Sequence, residues 1–270
     1  MSNPHLPPEI LDHIVDLLRG DPEALKRCCL VSKSWIPRTR KFLFAEVKFR
    51  NRESMRSWME TFPDPFNSPA YHTHSLGYSL AVTATEPGAG NWIRAFSRVE
   101  RLGVVGQGSS GVAKSTDSFV PLHGFSPAVK SLHAAFAIVP SSRLFNLILS
   151  FPLLEDLTVA GSVGAPIDNS DDPDGLSTAD HPTNLPVFTG SLGLVTRGGM
   201  EPIVRRLLSL PGCLRFRKIA LTWYHEKDPM LTVGLLNECS DTLESLKIAR
   251  NTHGAFIRHY YPVPMTHLRF

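Results

Sequence analysis

Leu147-Ile148-Leu149-Ser150-Phe151-Pro152-Leu153-Leu154-Glu155-Asp156-Leu157-Thr158-Val159 is the phrase that decides the fold. It reads as the end of an apolar helix, a turn around Ser150 and Pro152, then the spaced apolar residues of a short strand. The phrase recurs. Trp92-Ile93-Arg94-Ala95-Phe96 leads into Leu102-Gly103-Val104, and Leu207-Leu208-Ser209-Leu210-Pro211 leads into Ile219-Ala220-Leu221. A further copy runs from Leu235-Leu236-Asn237-Glu238-Cys239 into Leu246-Lys247-Ile248, with partial copies at Val129–Leu132 and around Leu192. The central apolar positions are 102, 132, 157, 192, 219 and 246, separated by 30, 25, 35, 27 and 27 residues. Each interval holds one strand and one helix, which is what a parallel neighbour requires.

Helices are visible inside these intervals. Ser142 is placed to cap a helix over Arg143–Ser150, and Ile203, Val204, Leu207 and Leu208 form the apolar stripe of another. The array resembles a degenerate leucine-rich repeat. It departs from that family in its irregular intervals, of which 30 and 35 exceed the usual ~20–29 residues, and in lacking Asn at the ladder position. A doubly wound α/β domain would give the same strand–helix alternation and stays open as the alternative. Val99–Val105 reads as a strand. Upstream, Val47-Lys48-Phe49 reads as a strand, Ser54–Phe62 as a helix, and His74–Val82 as another strand. Phe62-Pro63-Asp64-Pro65-Phe66-Asn67-Ser68-Pro69 is a turn-rich connection. At the far end Leu268 restarts the phrase 22 residues after Leu246, so an incomplete array with a poorly protected C-terminal edge is expected.

The first forty-odd residues follow a different pattern. Leu6–Gly20 carries Pro7 and Pro8 in a first turn, Glu9 suited to the helix dipole, and Gly20 as a stop. Ile10, Leu11, Ile14, Leu17 and Leu18 recur at helical spacing, with Leu17 and Leu18 expected to serve partly in the module's own packing. Asp21 can cap a second helix with Pro22 at its first position, and Ser32 a third that runs through Trp35 to about Phe44. Three short helices cannot bury all of these side chains, because domains this small rarely support a core alone. The surplus apolar surface implies a partner.

Leu6-Pro7-x-Glu9-Ile10-Leu11, then Leu25 and Cys28, then Leu30-Val31-Ser32-Lys33-x-Trp35, then Arg40-x-x-Leu43-Phe44, resemble the F-box in order and spacing. The resemblance covers residues 6–44, about a seventh of the chain. It implies docking onto a Skp-type adaptor, and through it onto a cullin, in a Skp–cullin–F-box ubiquitin ligase. The residues it assigns to the adaptor are Leu6, Pro7, Ile10, Leu11, Ile14, Leu25, Val31 and Trp35.

Composition narrows the function classes. Of 270 residues, 42% are hydrophobic and 9% aromatic, enough for a core rather than a disordered chain. Lys and Arg number 28 against 25 Asp and Glu, a net charge of +3, too mild for the signature of a nucleic-acid binder. Residues 1–60 hold 11 basic and 8 acidic side chains, so the whole excess lies there. The basic stretch Lys33, Arg38, Arg40, Lys41, Lys48, Arg50, Arg52 and Arg56 is interrupted by Glu46 and Glu53 and has no paired aromatic platform. It reads as a solvated face or one that meets an acidic protein. No apolar run approaches the ~20 residues of a membrane span, and the start lacks a signal-peptide pattern. Cys28, Cys29, Cys213 and Cys239 form no C-x-x-C pair, so a reducing compartment, cytoplasmic or nuclear, is expected.

Signals for chemistry are incomplete. Gly106-Gln107-Gly108-Ser109-Ser110-Gly111 matches G-x-G-x-x-G, but the following residues make a poor helix and no acid lies between Asp117 and Glu155 to hold a ribose. Asp168–Gly175 invites a calcium-loop reading, yet that register puts His181 where a bidentate Glu is needed; an acidic surface insertion over 161–186 is the better account. His72/His74 and His253/His259 lack a third ligand at a recognisable spacing. Neither H-E-x-x-H nor G-x-S-x-G occurs.

The combined expectation is an α/β chain. Residues 1–48 form a three-helix F-box-like docking module, and 49–90 a connecting segment with room for first irregular repeats. Residues 91–270 form an irregular leucine-rich-repeat-like strand/helix solenoid. No cofactor, metal, nucleic acid or membrane is called for, and no catalysis; the repeat domain would take an unidentified protein substrate. A non-ligase scaffold and a small α/β enzyme are the alternatives.

Overall fold

The computed structural model describes residues 7–80, 89–106, 125–164, 185–196, 200–210, 212–223, 226, 228–252 and 255–257. The chain opens with α1 (Pro8–Leu17), α2 (Pro22–Val31), a 3-10 turn (Lys33–Trp35) and α3 (Ile36–Leu43). Strands and helices then alternate: β1 (Glu46–Phe49), α4 (Arg52–Thr61), β2 (Ser75–Ser79), α5 (Ala89–Arg94), β3 (Arg101–Gly106) and β4 (Ser131–Pro140). The alternation continues with α6 (Ser141–Leu149), β5 (Asp156–Gly164), β6 (Ser191–Thr196), α7 (Glu201–Leu208), β7 (Lys218–Trp223), α8 (Asp228–Glu238) and β8 (Ser245–Thr252). A short β9 (Ala255–Ile257) ends the described chain.

All nine strands form one sheet in chain order. β1 to β8 are parallel, and β9 returns antiparallel along Arg250–Thr252 of β8. The order never reverses, so the described sheet has no switch point of the kind at which doubly wound domains bind ligands. The expected central positions fall in one register: Leu102, Leu132, Leu157, Leu192, Ile219 and Leu246 pair in succession. The same row extends upstream to Leu76 and Val47, so residues 46–79 add two strands that carry no copy of the phrase. A second row, Phe49, Tyr78, Val104, Ala134, Val159, Leu194 and Leu221, is buried two residues further on. The two rows and the apolar faces of the helices make one continuous core.

Boundaries shift in small ways. Ser142 lies inside α6, which starts at Ser141, so it is not the capping residue. The strand expected from Val99 starts at Arg101, with Val99 buried in the turn before it. The stretch expected as a strand over His74–Val82 is extended over Ser75–Ser79, and residues 81–82 fall outside the described chain.

Successive units are also joined just ahead of the strands. The Ala45 carbonyl accepts from the N–H groups of both His74 (2.9 Å) and Ser75 (3.0 Å). His74, Glu100, Lys130, Gly190 and Arg217 repeat this with the residue just before the next strand and the first residue of that strand. The exception follows the 35-residue interval. There the Glu155 carbonyl accepts only from Gly190 (3.2 Å), and Asp156 Oδ1 takes both the N–H and the hydroxyl of Ser191, each at 2.6 Å. A Cβ at position 190 would overlap that carboxylate oxygen, so glycine is what lets Asp156 substitute for the missing carbonyl.

Candidate functional site

Side-chain caps start α2 and the 3-10 turn, whereas α1 and α3 have none and α1 ends at Leu17, ahead of the expected stop at Gly20. Asp21 Oδ1 accepts from the N–H groups of Glu23 (3.1 Å) and Ala24 (3.0 Å), and Ser32 accepts from Ser34 (3.3 Å). The interior of the module is small: Val15, Leu25, Cys28 and Thr39 are buried. Thr39 donates to the Trp35 carbonyl at 2.8 Å, and its hydroxyl lies 2.9 Å from Cys29 Sγ. Arg38 of α3 grips Asp16 of α1 through two bonds, Nε to Oδ1 at 2.8 Å and Nη2 to Oδ2 at 2.6 Å. That guanidinium holds the Asp16 carboxyl below its ordinary value and is itself shifted upward by the pair.

α1 therefore carries two apolar stripes about 100° apart. Leu11, Val15 and Leu18 form the inner one, in which Val15 is fully buried and its neighbours half-buried. Ile10, Ile14 and Leu17 form the outer one. Ile10 is 48% and Leu17 73% exposed, with Ile14 half-buried between them. At the end of α2, Leu30 is 87% and Val31 68% exposed.

The residues expected at the adaptor thus separate into groups. Ile10 and Val31 lie on the module's surface with Pro7, while Leu11, Ile14 and Trp35 are half-buried. Leu25 packs inside the module, where its part is to hold α2 in place. Leu6 lies outside the described residues. The expectation that Leu17 serves internal packing is corrected by its exposure; Leu18 does turn partly inward. Leu17 and Leu30 are the surface residues that sequence reasoning left out, although Leu17 sits seven residues after Ile10 on the same stripe.

The module is fixed to the sheet by aromatic rings. Phe44, just after α3, meets Trp58 (centroids 5.7 Å) and Phe62 (5.8 Å) of the α4 segment edge-on. Trp58 in turn meets Phe49 of β1 and Phe96, each at 5.7 Å. Thr73 adds a hydrogen bond of 2.8 Å to the Phe44 carbonyl. The open face of the sheet offers a second surface. Between Lys48 on β1 and Lys247 on β8 the outward residues are Gly77, Gly103, His133, Thr158, Gly193 and Ala220. His133 is the one large side chain in this row between its end lysines, and the row spans about 34 Å at the usual strand spacing.

Among the described residues, chemistry-bearing groups do not converge. Gly106 ends β3, and the rest of the glycine motif, the acidic 168–175 loop and the His253/His259 pair lie outside the described residues. Among the described residues no three His, Cys, Asp or Glu side chains are grouped to hold a metal. Burial pushes the Cys239 thiol up, which disfavours the nucleophilic thiolate. The described depression between β5 and β8, about 360 Å³, is lined by Glu155, Asp156, Arg217, Lys218 and Glu244 and lies open to solvent. Its Asp156 is spent on the Ser191 junction. No helix among the described residues is long and apolar enough to cross a membrane. No family model matches the chain, and neither the curated proteins nor the solved structures contain a match.

Proposed function

We propose that the chain is the substrate-receptor subunit of a Skp–cullin–F-box ubiquitin ligase, acting in the cytoplasm or nucleus. In this reading α1–α3 are an F-box, and the strand–helix units are an irregular leucine-rich-repeat-like solenoid that presents its open strand face to a protein substrate. The observation that carries it is the outward apolar set Ile10, Leu17, Leu30 and Val31 on so small a module. Burying one such side chain on a partner is worth ~1.5–3 kcal/mol, so four leave a large unmet driving force for docking. The order of the F-box-like residues supports the same reading. The receptor catalyses nothing itself; it raises the effective concentration of a substrate lysine near the ligase's charged enzyme. The aromatic joint suits that task, because it leaves little freedom between docking module and substrate face.

Co-expression of the chain with a Skp-type adaptor and a cullin, followed by affinity capture, tests the reading. All three proteins should be recovered together. Ile14→Asp places a charge in a desolvated contact and should abolish capture while the circular-dichroism melt stays close to that of the parent. Adaptor without cullin would point to a scaffold outside a ligase, and no adaptor capture by the parent protein would overturn the proposal.

A further inference from the structure

We propose that the corner where the last turn of α3 meets the 3-10 turn Pro69–His72 and the turn before β3 is a separate docking surface for an acidic protein segment. Arg40, Lys41 and Arg98 supply its charge and Tyr71 its apolar contact. None of these residues belongs to the α1 stripe assigned to the adaptor, so the inference stands without that reading.

The corner is built rather than incidental. Ser68 Oγ accepts from the Ala70 N–H at 3.3 Å, Thr73 N–H bonds the Ala70 carbonyl at 3.0 Å, and Thr73 Oγ1 ties the turn to the end of α3. Tyr71, exposed, lies against half-buried His72, the two rings tilted by 39° with centroids 3.9 Å apart. Arg40, Lys41 and Arg98 are exposed, and among the described residues none is held in an ion pair, although Lys41 feels the Asp16 carboxylate that Arg38 holds; Lys26, Lys48 and Arg205 by contrast each pair with a neighbouring glutamate. The Glu100 carboxylate at this corner lies beside His74, 3.9 Å from Nδ1. Burial first, and then Arg98, Lys41, His74 and Arg40, hold the His72 imidazole below its ordinary value. Exposed cations outside any ion pair, gathered around an exposed ring, are the composition of an interface that selects by charge. A protein segment fits better than a nucleic acid, because the corner offers one exposed ring with a face already covered by His72, and single-strand binders use successive stacking faces.

Anisotropy with a labelled glutamate–leucine peptide on the full chain, in parallel with a labelled single-stranded oligonucleotide, tests this. The peptide should bind, and the triple variant Arg40→Glu, Lys41→Glu, Arg98→Glu should weaken it by about tenfold or more. A control variant, Arg215→Glu with Arg217→Glu, should leave binding unchanged. Saturating peptide should also move the proton-NMR titration of His72 upward. If the triple variant fails to fold, Arg98→Gln alone should still cost about threefold. No peptide binding, equal loss in the control, or tighter binding of the oligonucleotide through the same residues would overturn the proposal.

Discussion

Gly161 shows how much a single position can demand. It lies in β5 opposite the irregularity between Phe136 and Ile138 in β4, with φ +110°. A Cβ there would overlap the Phe136 carbonyl oxygen. Gly161→Ala therefore meets both a disfavoured backbone and a clash, and should cost about 2–4 kcal/mol by chemical denaturation. A loss within the range of ordinary surface substitutions would show that the bulge relaxes freely. Titration adds a second residue-scale test. Arg38 keeps the Asp16 carboxyl below its ordinary 3.8, so the pair stabilises the fold above that value and is lost as pH falls through the lower folded value. His72 acts in the same sense at higher pH: its folded value lies below the ordinary 6.5, so the unfolded chain takes up the proton first and stability declines as pH drops below about 6.5. Thermal midpoints from pH 8 to pH 3 should show both steps. His72→Gln should remove the upper one, and Asp16→Asn should shrink the lower, to which Glu46, held below its ordinary value by Lys48, also contributes.

At the scale of elements, the repeated phrase was legible because it states its own periodicity. The row from Leu102 to Leu246 was readable from spacing alone, as were the caps Asp21 and Ser32. β1 and β2 were readable as strands but not as members of that row, since Val47 and Leu76 arrive without the leucine-rich helix end that marks later units. The joint between module and sheet was not legible at all. Phe44, Phe49, Trp58, Phe62 and Phe96 come from five places in the chain, and only folding assembles them. Within α1 the apolar residues were legible as a helix, but two adjacent stripes look like one until α3 takes a side. Trp58 is the centre of the joint, so Trp58→Ala should destabilise by about 3–5 kcal/mol. Trp58→Phe should cost far less, because the buried indole Nε1 has no hydrogen-bond partner among the described residues and its removal breaks none of their bonds. Equal losses for the two variants would mean that the indole makes a bond after all.

Across the whole molecule, a sheet laid down in chain order ties each strand only to its neighbours, so protection should depend on position along the array. β4 and β5 pair over the longest run, from Ser131–Asp156 to Pro140–Gly164, and lie between paired strands on both sides. Among the described residues, β8 is flanked on its far side only along Arg250–Thr252, where β9 pairs with it; Leu268, on which the expected C-terminal edge rests, lies outside the described residues. The same truncation made twice on one row measures this directly. Leu157 is fully buried at the centre and Leu246 only half-buried at the end. Leu157→Ala should cost about 3–5 kcal/mol and Leu246→Ala about 1–2 kcal/mol, the difference reflecting how much apolar surface each removes from water. Amide exchange should follow the same gradient, with the amides of β4 and β5 slowest and those of Ser245–Ala249 exchanging at least about tenfold faster through local opening. Matching costs at the two leucines, together with uniform protection from β4 to β8, would show that the array unfolds as one cooperative block and that its end is as well covered as its middle.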